Sequence, residues 1–288
     1  SGVPGSVAGM HRAWRKFGKL PWRELVEPAV ELARDGFPIS LELSQSLLGS
    51  ANLLALFPES RRIFLRDGDY YKPGEVLRQP DLAQTLQQIA SHGPESFYQG
   101  EIAHLIDEHM RENRGNITLQ DLKNYVPKIR EPIRITYRGY DIISMGPPSS
   151  GGVVLGEMLN MIELFPLGEM GHGSAETVHL MAEVMRRAFA DRAVFLGDAD
   201  FSPLTTVELI KKTYARRRIN DFHQDQSSPS KDFLETRIVK ESKQTTHYSV
   251  VDAEGNAVAT TTTINGSFGS GVTIPGAGFL MNNEMDDF

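Results

Sequence analysis

The chain changes character at Gln244-Thr245. Residues 221–244 are polar and carry no apolar period. Thr245-Thr246-His247-Tyr248-Ser249-Val250-Val251-Asp252 then begins an alternating, β-branched run of the kind that forms a strand. A threonine at the start of a strand implies, by itself, only a good strand former. Chemistry enters if the peptide bond before Thr245 is cut. One residue then carries both a hydroxyl nucleophile and an α-amino base. An α-amino group has a reference pKa of about 7.7–8.0, so it is partly neutral near pH 7 and can accept the hydroxyl proton.

Other arrangements that could do chemistry are weaker. Gly266-Ser267-Phe268-Gly269-Ser270-Gly271 lacks the following helix and the Lys-Ser/Thr of a phosphate loop, and reads as a flexible connection lining a site. Pro147 to Gly152 precedes a helix but no lysine follows it, so a rigid turn is the better reading. His104 and His109, with Asp107 and Glu108 between them, are one residue too far apart for the i, i+4 pair of a zinc helix and read as a solvated face. No Gly-x-Ser-x-Gly elbow is present. No metal or cofactor is indicated.

Composition narrows the class. The 288 residues are 40% hydrophobic, enough for a sizeable core. Net charge is -7 with both signs dispersed, which argues against nucleic acid as a partner. With 0 cysteines there are no disulfides and no thiolate chemistry. No apolar run approaches the roughly 18 residues of a membrane-spanning helix.

The elements that must position Gln244-Thr245 follow from periodicity. Helices are expected from Trp22 to a stop at Gly36, over 40–56, 81–90 and 100–112, and after the capping signal Thr118-Leu119-Gln120-Asp121. Two strands meet at Arg138-Gly139. Helices follow after Gly152, around Val178 to Phe189, and over 203–219. Residues 224–243 are expected to be exposed. After Thr245 the pattern is strand only: a hairpin turning at Glu254-Gly255-Asn256, and a short strand at Gly278-Phe279-Leu280-Met281. Helices followed by strands imply an α+β domain with helices on a mainly antiparallel sheet.

Taken together, these pieces resemble the γ-glutamyltranspeptidases (glutathione hydrolases). Thr245 to Val258, Phe268-Gly269 and Asn282-Asn283-Glu284-Met285-Asp286-Asp287-Phe288 resemble the start of that family's small subunit. Ser1 to Ala8, Ala33-Arg34-Asp35-Gly36, Gly93-Pro94 with Phe97-Tyr98, Tyr137-Arg138-Gly139-Tyr140, Pro147 to Gly152 and Ala190-Asp191-Arg192 resemble its large subunit. The resemblance covers essentially the whole chain in the family's order.

It implies an N-terminal-nucleophile hydrolase fold, a four-layer αββα sandwich, as one partial domain over 1–288. It also implies autocleavage between Gln244 and Thr245, with 1–244 belonging to the large subunit and 245–288 opening the small one. The two would stay together as a heterodimer. Thr245 is then the nucleophile, first on the carbonyl of Gln244 and later on the γ-carbonyl of a glutamyl donor. By family position Thr263 orients the Thr245 hydroxyl, and Asn265, Glu284 and Asp287 receive the donor's α-amino end. That assignment suits the chemistry, because an ammonium needs carboxylates and amide oxygens as acceptors. Substrates are expected to be glutathione and other γ-glutamyl compounds, with water, amino acids or peptides as acceptors. A periplasmic, secreted or outer-surface location is implied.

The family's carboxylate-binding arginine is expected before Ser1, and its Ser-Ser pair and oxyanion glycines after Phe288. One missing oxyanion donor costs about 10²–10³ in rate, so the 288 residues alone are expected to be nearly inactive. Two alternatives stand beside this. One is an acylase or polyglutamate transpeptidase of the same fold. The other is an uncleaved, non-catalytic family member.

Overall fold

The computed structural model describes residues 1–66, 68–198, 200–201, 206–230 and 244–287, with the backbone alone for 206, 286 and 287. The described residues group into two compact units, 1–128 with 241–288 and 129–240. Strands pair as two-stranded antiparallel ribbons. The mixture of helices and antiparallel strands is the α+β class expected from the sequence.

In the first unit the expected helices form where their signals predict, and Ser6–Phe17, Pro58–Phe64 and Glu95–Tyr98 are helices that the periodicity did not indicate. Ser40 caps Leu41–Ala55 by accepting the N–H of Leu43. Thr118 and Asp121 cap Leu119–Asn124 reciprocally. Gly36, at φ 84°, ends Trp22–Asp35. Two cores result. Leu47, Leu54, Ile63, Phe64 and Leu77 form one, and Ile102, Ile106, Met110 and Leu122 belong to the other. Asp107 corrects the reading of a solvated face. It is buried, accepts the N–H of Leu119 at 3.1 Å and pairs with Arg111, so it ties two helices together.

Residues 264–283 are fastened across both cores. Phe268 enters the first, edge-on to Phe64 with ring centres 5.8 Å apart. Ile274, Ala277 and Met281 enter the second. Buried hydroxyls hold the backbone between them: Ser60 donates to Gly271 O at 2.6 Å and Thr85 to Ala277 O at 2.8 Å. The glycine-rich stretch expected to be flexible is therefore a set of bonded turns. Gly269 shows why glycine is needed there: its φ is 53°, and a Cβ would stand 2.2 Å from the Met281 carbonyl oxygen. The short strand expected at Gly278 to Met281 is reduced to one bridge, Thr273 to Leu280, because residues 274–278 close a tight turn with Gly278 at φ 74°.

The hairpin forms as predicted. Thr246–Val251 pairs with Ala257–Thr262, from Thr246 opposite Thr262 to Val251 opposite Ala257. Asp252 closes the turn, accepting the backbone N–H of Asn256 at 2.8 Å and its amide at 2.7 Å.

The second unit packs Gly151–Ile162, Ala175–Phe195 and Lys212–Arg218 around Met161, Leu180, Val184 and Ala188. Ile133–Tyr137 and Tyr140–Ser144 pair through the expected turn, with Arg138 at φ 48°. The helix expected over 203–219 is interrupted. Residues 203–205 lie outside the described residues, and the rest appears as Thr206–Leu209 and Lys212–Arg218, because Lys211 is extended and the Asn160 amide takes the Ile210 carbonyl. Of the stretch expected to be exposed, residues 224–227 are so, and 231–243 lie outside the described residues.

Candidate active site at the Gln244–Thr245 peptide

The hairpin register sets the site. With Thr246 opposite Thr262, the next pair outward is Thr245 and Thr263, whose side chains share one face of the ribbon. Both hydroxyls converge on a single atom. Thr245 Oγ1 donates to the carbonyl oxygen of Gln244 at 2.7 Å, and Thr263 Oγ1 donates to the same oxygen at 3.2 Å.

The Thr263 hydroxyl is itself held. It accepts the backbone N–H of Asn265 at 2.8 Å, which occupies a lone pair and leaves its hydrogen for Gln244. A carbonyl that accepts two hydroxyl hydrogens is polarised toward attack at carbon. The attacking group stands on the adjoining residue, so addition closes a five-membered ring. Chemically, the arrangement fits an N-to-O acyl shift.

Around this peptide lies an open cleft of about 350 Å³. Thr262, Thr263, Ile264, Gly266 and Ser267 line it, together with Ser46 from the helix Leu41–Ala55. Sequence reasoning did not single out Ser46, since nothing in a helical pattern signals a long-range neighbour.

The residues expected to receive an ammonium group fall in the same unit. Asn265 is buried and left-handed, with φ 69°. Its amide nitrogen donates to the Asn283 carbonyl at 3.1 Å. Glu284 opens the short 3-10 turn Glu284–Asp287, and its N–H donates to the Asn282 side chain at 3.2 Å. Asp287 lies on that turn, and its side chain is outside the described residues. The Asn283 contacts were not anticipated, although the residue stood inside a motif that was. Among the described residues no group of three or more His, Asp or Glu side chains converges as a metal site.

The chain is similar to known proteins along its whole length. The gamma-glutamyltranspeptidase family profile matches residues 1–288. The chain is 42% identical to the glutathione hydrolase proenzyme of Escherichia coli K12, over 100% of this chain and 50% of that protein. It is also 42% identical to the acylase ACY 1 proenzyme of Pseudomonas sp. strain SE83, over 99% of this chain and 51% of that protein. The crystal structure of Helicobacter pylori gamma-glutamyltranspeptidase superposes with a TM-score of 0.78 at 40% identity, covering 80% of this chain and 66% of that one. The chain thus spans about half the length of the curated relatives it matches. The fold is that of the N-terminal-nucleophile hydrolases. The chain belongs to the gamma-glutamyltranspeptidase family.

Proposed function

We propose that the full-length protein is a self-cleaving γ-glutamyltransferase and glutathione hydrolase, with Thr245 as its nucleophile. The observation that carries this reading is the convergence of the Thr245 and Thr263 hydroxyls on the Gln244 carbonyl. In the first reaction Thr245 Oγ adds to the Gln244 carbonyl carbon. The C–N bond breaks, and the hydroxyl proton leaves with the Thr245 amine. Water then hydrolyses the ester, giving a carboxylate at Gln244 and a free amine beside a free hydroxyl. The large and small subunits remain together as a heterodimer.

In the second reaction that amine accepts the Thr245 hydroxyl proton while Oγ attacks the γ-carbonyl of a glutamyl donor. The donor's amine leaves with the proton, and water or an acceptor amine removes the glutamyl group. Thr263 orients the nucleophile. Asn265, Glu284 and Asp287 receive the donor's α-ammonium and reject donors that lack it, because buried acceptors left without a donor are costly.

A second reading is favoured by one observation: ACY 1 is as similar as the glutathione hydrolase, at 42%. Donor choice separates the two. The full-length protein is expected to release p-nitroaniline from γ-glutamyl-p-nitroanilide with a kcat/KM about 10²-fold or more above that for glutaryl-p-nitroanilide, which differs only by the amino group. Equal turnover, or a preference for the glutaryl amide, assigns an acylase instead.

A further inference from the structure

Asn265 occupies the left-handed region at φ 69°, which is uncommon outside glycine. Such a backbone persists where its surroundings determine it. Here Asn283 bonds three successive residues of the turn. Asn283 donates its N–H to Ile264 O at 3.2 Å, accepts the Asn265 amide at its carbonyl at 3.1 Å, and accepts the Gly266 N–H at its side-chain Oδ1 at 2.9 Å. Residues 264, 265 and 266 are thus all bonded to Asn283.

Two consequences follow at the reacting centre. The turn at Asn265 directs its N–H to Thr263 Oγ1 at 2.8 Å, and so sets the direction in which Thr263 donates. The Asn283 carbonyl, by taking the Asn265 amide nitrogen, also fixes which end of that amide is nitrogen and which is oxygen. The preceding Asn282 works in the same manner on the other ammonium-binding segment. It exchanges a pair of hydrogen bonds with the backbone of Gly2, both 2.8 Å, and accepts the Glu284 N–H.

We propose that Asn283 is a positioning residue. Its Oδ1 holds the Gly266 N–H and thereby keeps residues 264–266 in the turn that aims both Asn265 and Thr263. This couples self-cleavage to selection of a donor with a free α-amino group, and it rests on the γ-glutamyl reading above. The side-chain bond is the one a substitution can remove without touching a proposed catalytic or ammonium-binding group.

The test uses the full-length protein with Asn283→Ala and Asn283→Asp. Aspartate keeps an acceptor at the same reach. Self-cleavage is followed on a denaturing gel, and KM and kcat are measured for the γ-glutamyl and glutaryl p-nitroanilides. Asn283→Ala is expected to slow self-cleavage about 10-fold or more and to raise KM for the γ-glutamyl donor about 10-fold, with KM for the glutaryl donor unchanged. Asn283→Asp is expected to restore both. If Asn283→Ala does not mature, rescue of cleavage by Asn283→Asp decides alone.

An equal rise of KM on both donors, no loss, or an aspartate variant as impaired as alanine overturns the proposal. A wild-type protein that neither cleaves itself nor prefers the γ-glutamyl donor defeats the functional reading instead. A competent wild type with an unaffected alanine variant defeats only the role of Asn283.

Discussion

The hydroxyl of Thr263 lies 3.2 Å from the carbonyl oxygen of Gln244, across a sequence separation of 19 residues. The hairpin turn at Asp252 to Asn256 and the register from Val251–Ala257 outward to Thr246–Thr262 bring them together. In the proposed reaction this gives Thr263 a task before self-cleavage as well as after it: it polarises the peptide that Thr245 attacks. Removal of one donor to a developing oxyanion typically costs about 10²–10³ in rate. Thr263→Ala in the full-length protein is therefore expected to slow self-cleavage by that order, and Thr263→Ser to stay within about 10-fold of wild type. Time courses on denaturing gels measure both. Cleavage of Thr263→Ala at the wild-type rate contradicts the assignment.

Phe268 anchors the loop that carries Asn265 and Gly266. Its side chain is buried edge-on to Phe64, in the core cluster that also holds Leu47 and Leu54. Phe268→Ala is expected to destabilise the full-length protein by about 3–5 kcal/mol, the usual cost of emptying a buried aromatic site. Urea unfolding in a Thr245→Ala background, which keeps the chain in one piece, reads this directly. A loss below about 1 kcal/mol would mean that the loop is held by its hydrogen bonds rather than by Phe268.

Glu157 lies 1% exposed in the second unit. Burial, and then hydrogen bonding to Asp191, push its carboxyl up to about 9 from the ordinary 4.5. Asp191 also accepts from Tyr214 and Arg218, each at 2.8 Å. A folded-state pKa above the unfolded one contributes stability that is full below pH 4.5 and is lost as pH rises toward about 9. Glu157→Gln keeps the shape without the titration. The urea-midpoint difference between Glu157→Gln and wild type is expected to grow in favour of the glutamine between pH 5 and pH 8. A difference that does not vary with pH refutes the buried neutral acid.

Glu183 has the opposite sign. Burial alone would raise its pKa. Hydrogen bonds from Arg187 and Ser228 outweigh burial and, with the charge of Arg186, lower the pKa to about 2. Its contribution is present above the ordinary 4.5 and is lost as pH falls toward 2. Arg187 is fully buried, bonding Glu183 at 2.6 Å and Asp221 at 2.8 Å. Arg187→Ala removes one of the two guanidinium partners of a buried carboxylate, which keeps Arg186 and the Ser228 N–H, and is expected to cost about 1.5–3 kcal/mol at neutral pH for the lost charged hydrogen bonds. Much of that penalty should disappear as pH falls from 4.5 toward 2, the window in which the contribution of Glu183 is lost. A penalty that is equal at pH 3 and pH 7 contradicts the account.

The sequence made the local elements legible wherever a short-range rule governs them. Ser40 and Thr118 marked helix starts, Gly36 marked a stop, and Glu254-Gly255-Asn256 marked the hairpin turn whose register aligns Thr245 with Thr263. Long-range contacts were not legible. Asp107 looked like one charge among several on a helix, until packing placed Leu119 above it. Gly266 to Gly271 looked loose because its order comes from Phe64, Met281 and Asn283, which are distant in sequence. At the site, Thr245 and Thr263, the proposed nucleophile and its partner, stood out by type and resemblance. The part played by Asn283 was not, since two of its contacts run through backbone atoms that every residue has.

The central claim concerns one peptide bond, and one gel tests it most directly. Freshly purified full-length protein and its Thr245→Ala variant are incubated side by side, resolved under denaturing conditions, and the smaller product is sequenced from its N-terminus. Wild type is expected to separate into two fragments, the smaller beginning Thr245-Thr246-His247, while Thr245→Ala stays a single chain. A wild type that remains intact on long incubation, or a Thr245→Ala variant that is cut at the same bond, contradicts the account.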